Sequence, residues 1–155
     1  MEEKFMQEAI ELSKKTLTEN CGGPFGCVVV KDGEIIGRGW NQVTSKNDPT
    51  AHAEILAIRE ACQKLNSFQL EGCEVYTSCY PCPMCLGAIY WARPSKVFYA
   101  NTAEDAAQIY FDDAFIYQEV LKKSSERIIP FRQILSEEAK QVFTDWSNKE
   151  DKIQY

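Results

Sequence analysis

Histidine is nearly missing: His52 is the only one in 155 residues. Any chemistry that needs an imidazole must pass through that position. Long apolar runs are missing as well. No stretch approaches the roughly 18 consecutive apolar residues that mark a membrane helix, so no membrane partner is expected. The opening residues, Met1 to Glu8, are acidic and amphipathic and lack the basic-then-apolar pattern of a secretory leader. A cytoplasmic protein is the expectation. Basic clusters are scarce too, since Lys14-Lys15 and Lys122-Lys123 are isolated pairs and the formal net charge is −6. Proteins that bind nucleic acid gather Lys and Arg against phosphates. No nucleic-acid partner is therefore expected, and a polyanion such as tRNA would meet net repulsion. Repeats, low-complexity tracts and linkers are absent. A chain of this length fits one domain, residues 1–155.

Cysteine, by contrast, is plentiful: Cys21, Cys27, Cys62, Cys73, Cys79, Cys82 and Cys85. An odd number without a secretory leader argues against a disulfide framework. Three of the seven crowd into Cys79-Tyr-Pro-Cys82-Pro-Met-Cys85, a density that points to metal or redox chemistry. Cys27, Cys62 and Cys73 read as core residues, and Cys21 as a loop residue.

The chain alternates helix and strand patterns. Phe5, Met6, Ile10, Leu12 and Leu17 predict a helix over 2–19, ended by Gly22-Gly23-Pro24. Phe25–Val30 and Glu34–Trp40 flank the hairpin signal Asp32-Gly33. Asp48-Pro49-Thr50 offers a cap and start for a helix from about Ala51 to Leu65. A strand at Glu74–Thr77, a helix at about Cys82–Trp91 and a strand at Lys96–Tyr99 follow. Residues 104–122 read as helical in pieces, 128–134 as a fifth strand, and Ser136–Asn148 as a final helix. Such alternation predicts an α/β layered domain.

The chemistry concentrates in two of these elements. Zinc prefers Cys sulfur and His nitrogen, and a catalytic site keeps one of four positions for water. Cys82 and Cys85, three apart at a helix start, share one face. The positive end of that helix favours thiolate over thiol. His52 starts another helix, so an imidazole and two sulfurs can converge from neighbouring elements. Glu54, two residues beyond His52, can reach the same pocket without ligating. A carboxylate there can take a proton from a metal-activated water and return it to a leaving group.

His52-Ala-Glu54 with Pro81-Cys82-Pro-Met-Cys85 matches the H-x-E…P-C-x-x-C signature of zinc nucleobase deaminases. Further blocks cover nearly the whole chain: Gly23-Pro24-Phe25-Gly26, Asn41, the run Asn47 to Glu54, Thr77-Ser-Cys79, Pro81 to Trp91, Phe111 to Tyr117, and Tyr155. Together they resemble the short, bacterial-type guanine deaminases of the cytidine deaminase superfamily. The resemblance implies a three-layer α/β/α cytidine-deaminase-like fold around a central mixed sheet of five strands. It implies one Zn2+ per chain on His52, Cys82 and Cys85, with Glu54 as proton shuttle. Zinc-activated hydroxide would attack C2 of guanine while Glu54 protonates N3, giving xanthine and ammonia. It also implies that Asn41 hydrogen-bonds the purine, Asp113 accepts from its N–H groups and Phe25 packs on the base. Tyr155 would close the pocket, across a homodimer whose C-terminal segments are exchanged. One departure stands out: the family usually carries Glu where this chain has Tyr80.

Other readings stay open at this point. The same chemistry could serve cytosine, cytidine, adenosine or a triazine analogue. Cys79 could fill the fourth zinc position and close the site, or pack as a small residue at a strand end. A non-catalytic zinc or iron–sulfur interaction module is a third class, although the cluster run lacks its fourth Cys. Asn41 could be a turn residue, Asp112 and Asp113 could cap the next helix, and Tyr155 could be a frayed end.

Overall fold

The computed structural model describes residues 2–111 and 113–155. Helix α1 spans Glu2–Glu19, strands β1 and β2 span Gly26–Lys31 and Glu34–Trp40, and a short α2 spans Val43–Lys46. Helix α3 (Ala53–Leu65), β3 (Cys73–Cys79), α4 (Pro83–Ala92) and β4 (Lys96–Asn101) follow. Helices α5 (Ala103–Gln108), α6 (Ala114–Leu121) and α7 (Ser136–Asn148) complete the chain. Two compact units result, one ending at Ala114 and one running from Phe115 to Tyr155.

In the first unit the strands lie in the order β2-β1-β3-β4. β1 is antiparallel to both β2 and β3, while β3 and β4 are parallel. The Asp32-Gly33 hairpin forms as expected, with both residues at positive φ. Alternation along the strands divides the core. Val28, Val30 and Tyr76 pack with Phe5 and Leu12 of α1 on one face. Cys27, Val29, Cys73 and Val75 pack with Ala53, Ala57 and Ala61 of α3 on the other. The result is helix, mixed sheet, helix.

The sheet has four strands rather than the five expected. Residues 128–134 form no strand, although Ile128, Ile129, Phe131 and Ile134 gave them a β-like composition. Pro130 removes a ladder donor in the middle of the run. The segment lies in the second unit, where no described strand offers a ladder. Apolar β-branched composition measures fitness for a paired surface and creates no pairing by itself. Asp112, offered by the sequence as a helix cap, lies outside the described residues.

Helix α3 is set close to the sheet by small residues on both sides. Ala53, Ala57 and Ala61 recur every four residues, so they line one stripe. That stripe lies on Gly37 and Gly39 of β2. A Cβ at Gly39 would collide with the Ala53 carbonyl oxygen and approach Ala57 N to 2.7 Å. This close seat carries the first turn of α3 over the sheet end where β3 runs into α4. No helix among the described residues is long and apolar enough to cross a membrane.

Candidate metal centre and cavity

His52 and Cys82 are both N-cap residues. Each has an extended backbone just before its helix, at φ −73°, ψ 156° and φ −65°, ψ 167°. Asp48 and Thr50 make a tight turn ahead of α3 instead of capping it. The Asp48 carboxylate accepts from the Thr50 backbone N–H at 2.8 Å and from its hydroxyl at 2.7 Å. Pro83 follows Cys82 as the first helical residue, where a missing N–H costs nothing. Two helix N-termini therefore point their positive ends at one spot, which favours anionic sulfur there.

His52 Nδ1 lies 3.5 Å from Cys82 Sγ and 3.5 Å from Cys85 Sγ. All three donor atoms lie within 4.8 Å of one another, and among the described residues no other such group forms. A tetrahedral zinc with its usual Zn–N and Zn–S bond lengths sets N and S about 3.6 Å apart. The donor set and its spacing therefore fit zinc. The proton balance points the same way. A hydrogen bond from Cys85 and one from His52 hold the Cys82 thiol down at about 4. The Cys82 thiolate and burial in turn push Cys85 far up. One sulfur thus keeps its proton at the other's expense, and a dication would relieve that conflict by holding both as thiolates.

Cys79 does not join the group. Its thiol donates to the Thr102 carbonyl at 3.4 Å, and burial raises it to about 11. It is a packed strand-end residue, so the site keeps a fourth position clear of a fourth sulfur. Cys27 and Cys73 are fully buried core residues, and all seven cysteines are free.

Glu54 sits in the first turn of α3 and is only 7% exposed. Burial raises its carboxyl from the ordinary carboxylate value. Oε2 lies 3.4 Å from Cys85 Sγ, and Oε1 lies 3.2 Å from the Thr77 hydroxyl. His52 and Glu54 open onto a cavity of about 570 Å³. Phe25, Asn41 and Asp113 line its wall with them, which gathers six of the eight sequence-predicted residues, Cys82 included, at one cavity. Cys85 lies buried beneath it. Tyr155 belongs to the second unit and is 70% exposed.

The wall is tightly specified. Asn41 is buried, and its Oδ1 accepts from the Val43 backbone N–H at 3.1 Å. That bond fixes which way the amide faces, with one lone pair of its carbonyl oxygen engaged. Gly22 makes the placement possible, because a Cβ there would collide with Asn41 Oδ1. Phe25 meets Phe111 edge to face, with ring centroids 5.0 Å apart, so the aromatic wall has two members where the sequence singled out one. Tyr80 lines the rim, its ring edge-on to Tyr99 at 5.1 Å. The signal for Gly22 was the Gly-Gly-Pro run, legible only as a turn. For Thr77 it was a lone polar residue on an otherwise apolar strand face.

A partly buried His–Cys–Cys cluster at two helix starts, a carboxylate beside it and an α/β/α sandwich define a zinc-binding deaminase. Residues 1–101 match the cytidine and deoxycytidylate deaminase zinc-binding region, and the chain belongs to that family. Over 153 residues it is 54% identical to the guanine deaminase of Bacillus subtilis, covering 99% of this chain and 98% of that one. The solved structure of that enzyme superposes with a TM-score of 0.96 over the same shares. The guanine deaminase of Nitrosomonas europaea is 34% identical, with a TM-score of 0.67 over 70% of this chain and 63% of that one. The tRNA-specific adenosine deaminase of Aquifex aeolicus is 45% identical over 98 residues, 63% of this chain and 64% of the relative.

Proposed function

We propose that the protein hydrolyses guanine to xanthine and ammonia, with His52, Cys82 and Cys85 holding one zinc ion. The observation that carries the substrate is the reach of the likeness. Similarity to a guanine deaminase extends over 99% of the chain, at 54% identity across the 153 aligned residues, while likeness to a tRNA deaminase covers 63% of the chain. The net charge of −6 also disfavours a polyanionic substrate.

When bound, zinc supplies Lewis acidity that makes water nucleophilic at neutral pH. The remaining work falls to side chains. Asn41 donates its amide NH₂ to a purine acceptor, while its carbonyl oxygen accepts from the Val43 N–H. Asp113 accepts from ring or exocyclic N–H groups. Phe25 and Phe111 pack against the flat base and keep water out. Glu54 takes the proton of the attacking water at a carboxylate oxygen. It then delivers that proton to ring N3 while the new C–O bond forms at C2. A second transfer through Glu54 carries the proton of the new C2 hydroxyl to the amine as the C2–N bond breaks, so one water is consumed, C2 becomes a carbonyl and one ammonia leaves.

The working form is a homodimer. The amphipathic stripe Val142, Phe143 and Trp146 on α7 stays 64%, 77% and 45% exposed in the single chain. So much apolar surface on one helix calls for a covering face. Exchange of the C-terminal segments between two copies would supply it, with Tyr155 closing the partner's cavity as a lid. The test is a panel of free bases and nucleosides given to the zinc-loaded protein. Guanine alone, or guanine well ahead of the others, should release ammonia and xanthine. Turnover of cytosine, cytidine or adenosine in its place would remove the substrate assignment.

A further inference from the structure

Thr77 stands on β3 between Val75 and Cys79, on the sheet face that packs against α3. It is 1% exposed. An apolar side chain would suit that layer, and a buried hydroxyl costs free energy unless it is hydrogen-bonded. Its Oγ1 has two acceptors: Glu54 Oε1 at 3.2 Å and the Cys79 carbonyl at 3.1 Å. A hydroxyl carries one hydrogen, so it serves one of them at a time. Of the two, the carboxylate is the stronger acceptor whenever it carries its charge.

The second carboxylate oxygen is held differently. Glu54 Oε2 faces Cys85 Sγ, and a sulfur engaged as thiolate on a metal donates nothing. The Thr77 hydroxyl then supplies the side-chain donor that fixes the carboxylate plane. We infer that Thr77 is a positioning residue for the reaction, holding Glu54 in the orientation from which it moves protons. The inference rests on the reading of Glu54 as proton carrier. The second acceptor gives the contact a further use. While Oε1 carries a proton during turnover, the hydroxyl turns its hydrogen to the Cys79 carbonyl and accepts from Glu54. The pair stays joined with no heavy atom moved.

Two variants test this in the zinc-loaded enzyme. Thr77→Val keeps the shape and loses the donor, while Thr77→Ser keeps the donor. A hydrogen bond to a charged group is worth enough that its loss should lower kcat about ten- to hundredfold. KM for guanine and zinc content should be unchanged, and Thr77→Ser should restore kcat to within a few-fold of wild type. Crystal structures give a readout independent of turnover: the Glu54 carboxylate should rotate in the Val variant and keep its place in the Ser variant. Wild-type kcat and an unmoved carboxylate in Thr77→Val would overturn the inference. So would an equal loss of zinc and activity in both variants, which would make Thr77 a packing residue. A wild type inactive on guanine and active on another base would remove the substrate reading alone. Thr77 would then be judged on that base and on the carboxylate orientation. A fully active Glu54→Gln protein would remove the reading of Glu54 and this inference with it.

Discussion

The two units of the chain differ most in what their apolar residues touch. In the unit ending at Ala114, Val28, Val29, Val75 and Tyr76 are almost wholly buried, and small residues seat α3 against the sheet. In the unit from Phe115 to Tyr155, neither α6 nor α7 has a buried residue, and Ile128, Ile129, Phe131 and Phe143 are mostly exposed. Burying one such side chain is worth roughly 1.5–3 kcal/mol. The first unit collects that stabilisation within the chain. The second leaves it uncollected within the chain, and a second copy is the partner proposed for that surface. The metal cluster and Glu54 thus lie in the unit with the buried core, and the proposed lid lies in the unit whose apolar residues stay exposed.

Substitutions in each unit sharpen that division. The largest effect belongs to Glu54. Glu54→Gln keeps the size of the side chain and removes its capacity to carry a proton. Turnover should fall by about 10²–10⁴ or more while zinc content stays at one per chain, as metal analysis and ammonia release would show. Next comes the α7 stripe. Phe143→Asp should leave the single chain folded by circular dichroism and shift dimer to monomer in sedimentation. A variant as dimeric as wild type would show that the stripe is covered by something other than a second copy. Third is the packing of the first unit. Gly39→Ala forces a methyl into the Ala53 carbonyl and should cost about 1–3 kcal/mol in denaturant unfolding, the usual range for overpacking. The same change at Gly33, where a Cβ meets nothing within 4 Å, should cost less and through its positive φ alone. Smallest is the exposed Glu137–Lys140 pair on α7. Glu137→Gln should change stability by under about 0.5 kcal/mol.

Much of the site was legible because its parts are local. His52 and Glu54 lie at one helix start and Cys82 and Cys85 at another, and the three-residue spacing of the two sulfurs is one that helix geometry turns into a shared face. The hairpin, α1, α3 and α4 were legible for the same reason. What stayed hidden depends on neighbours distant in sequence. Thr77 meets Glu54 across 23 positions, and strand alternation says which face it takes without saying what lies there. Gly22 matters through Asn41, and Phe111 through Phe25. Residues 128–134 erred in the opposite direction. They have the composition of a strand, but composition cannot provide the adjacent ladder that a strand requires.

Diffraction data collected on either side of the zinc absorption edge test the central claim most directly. The account predicts one anomalous peak per chain, bounded by His52 Nδ1 and the sulfurs of Cys82 and Cys85, with Glu54 beside its remaining open position. A peak elsewhere, or a fourth protein donor closing that position, would contradict it.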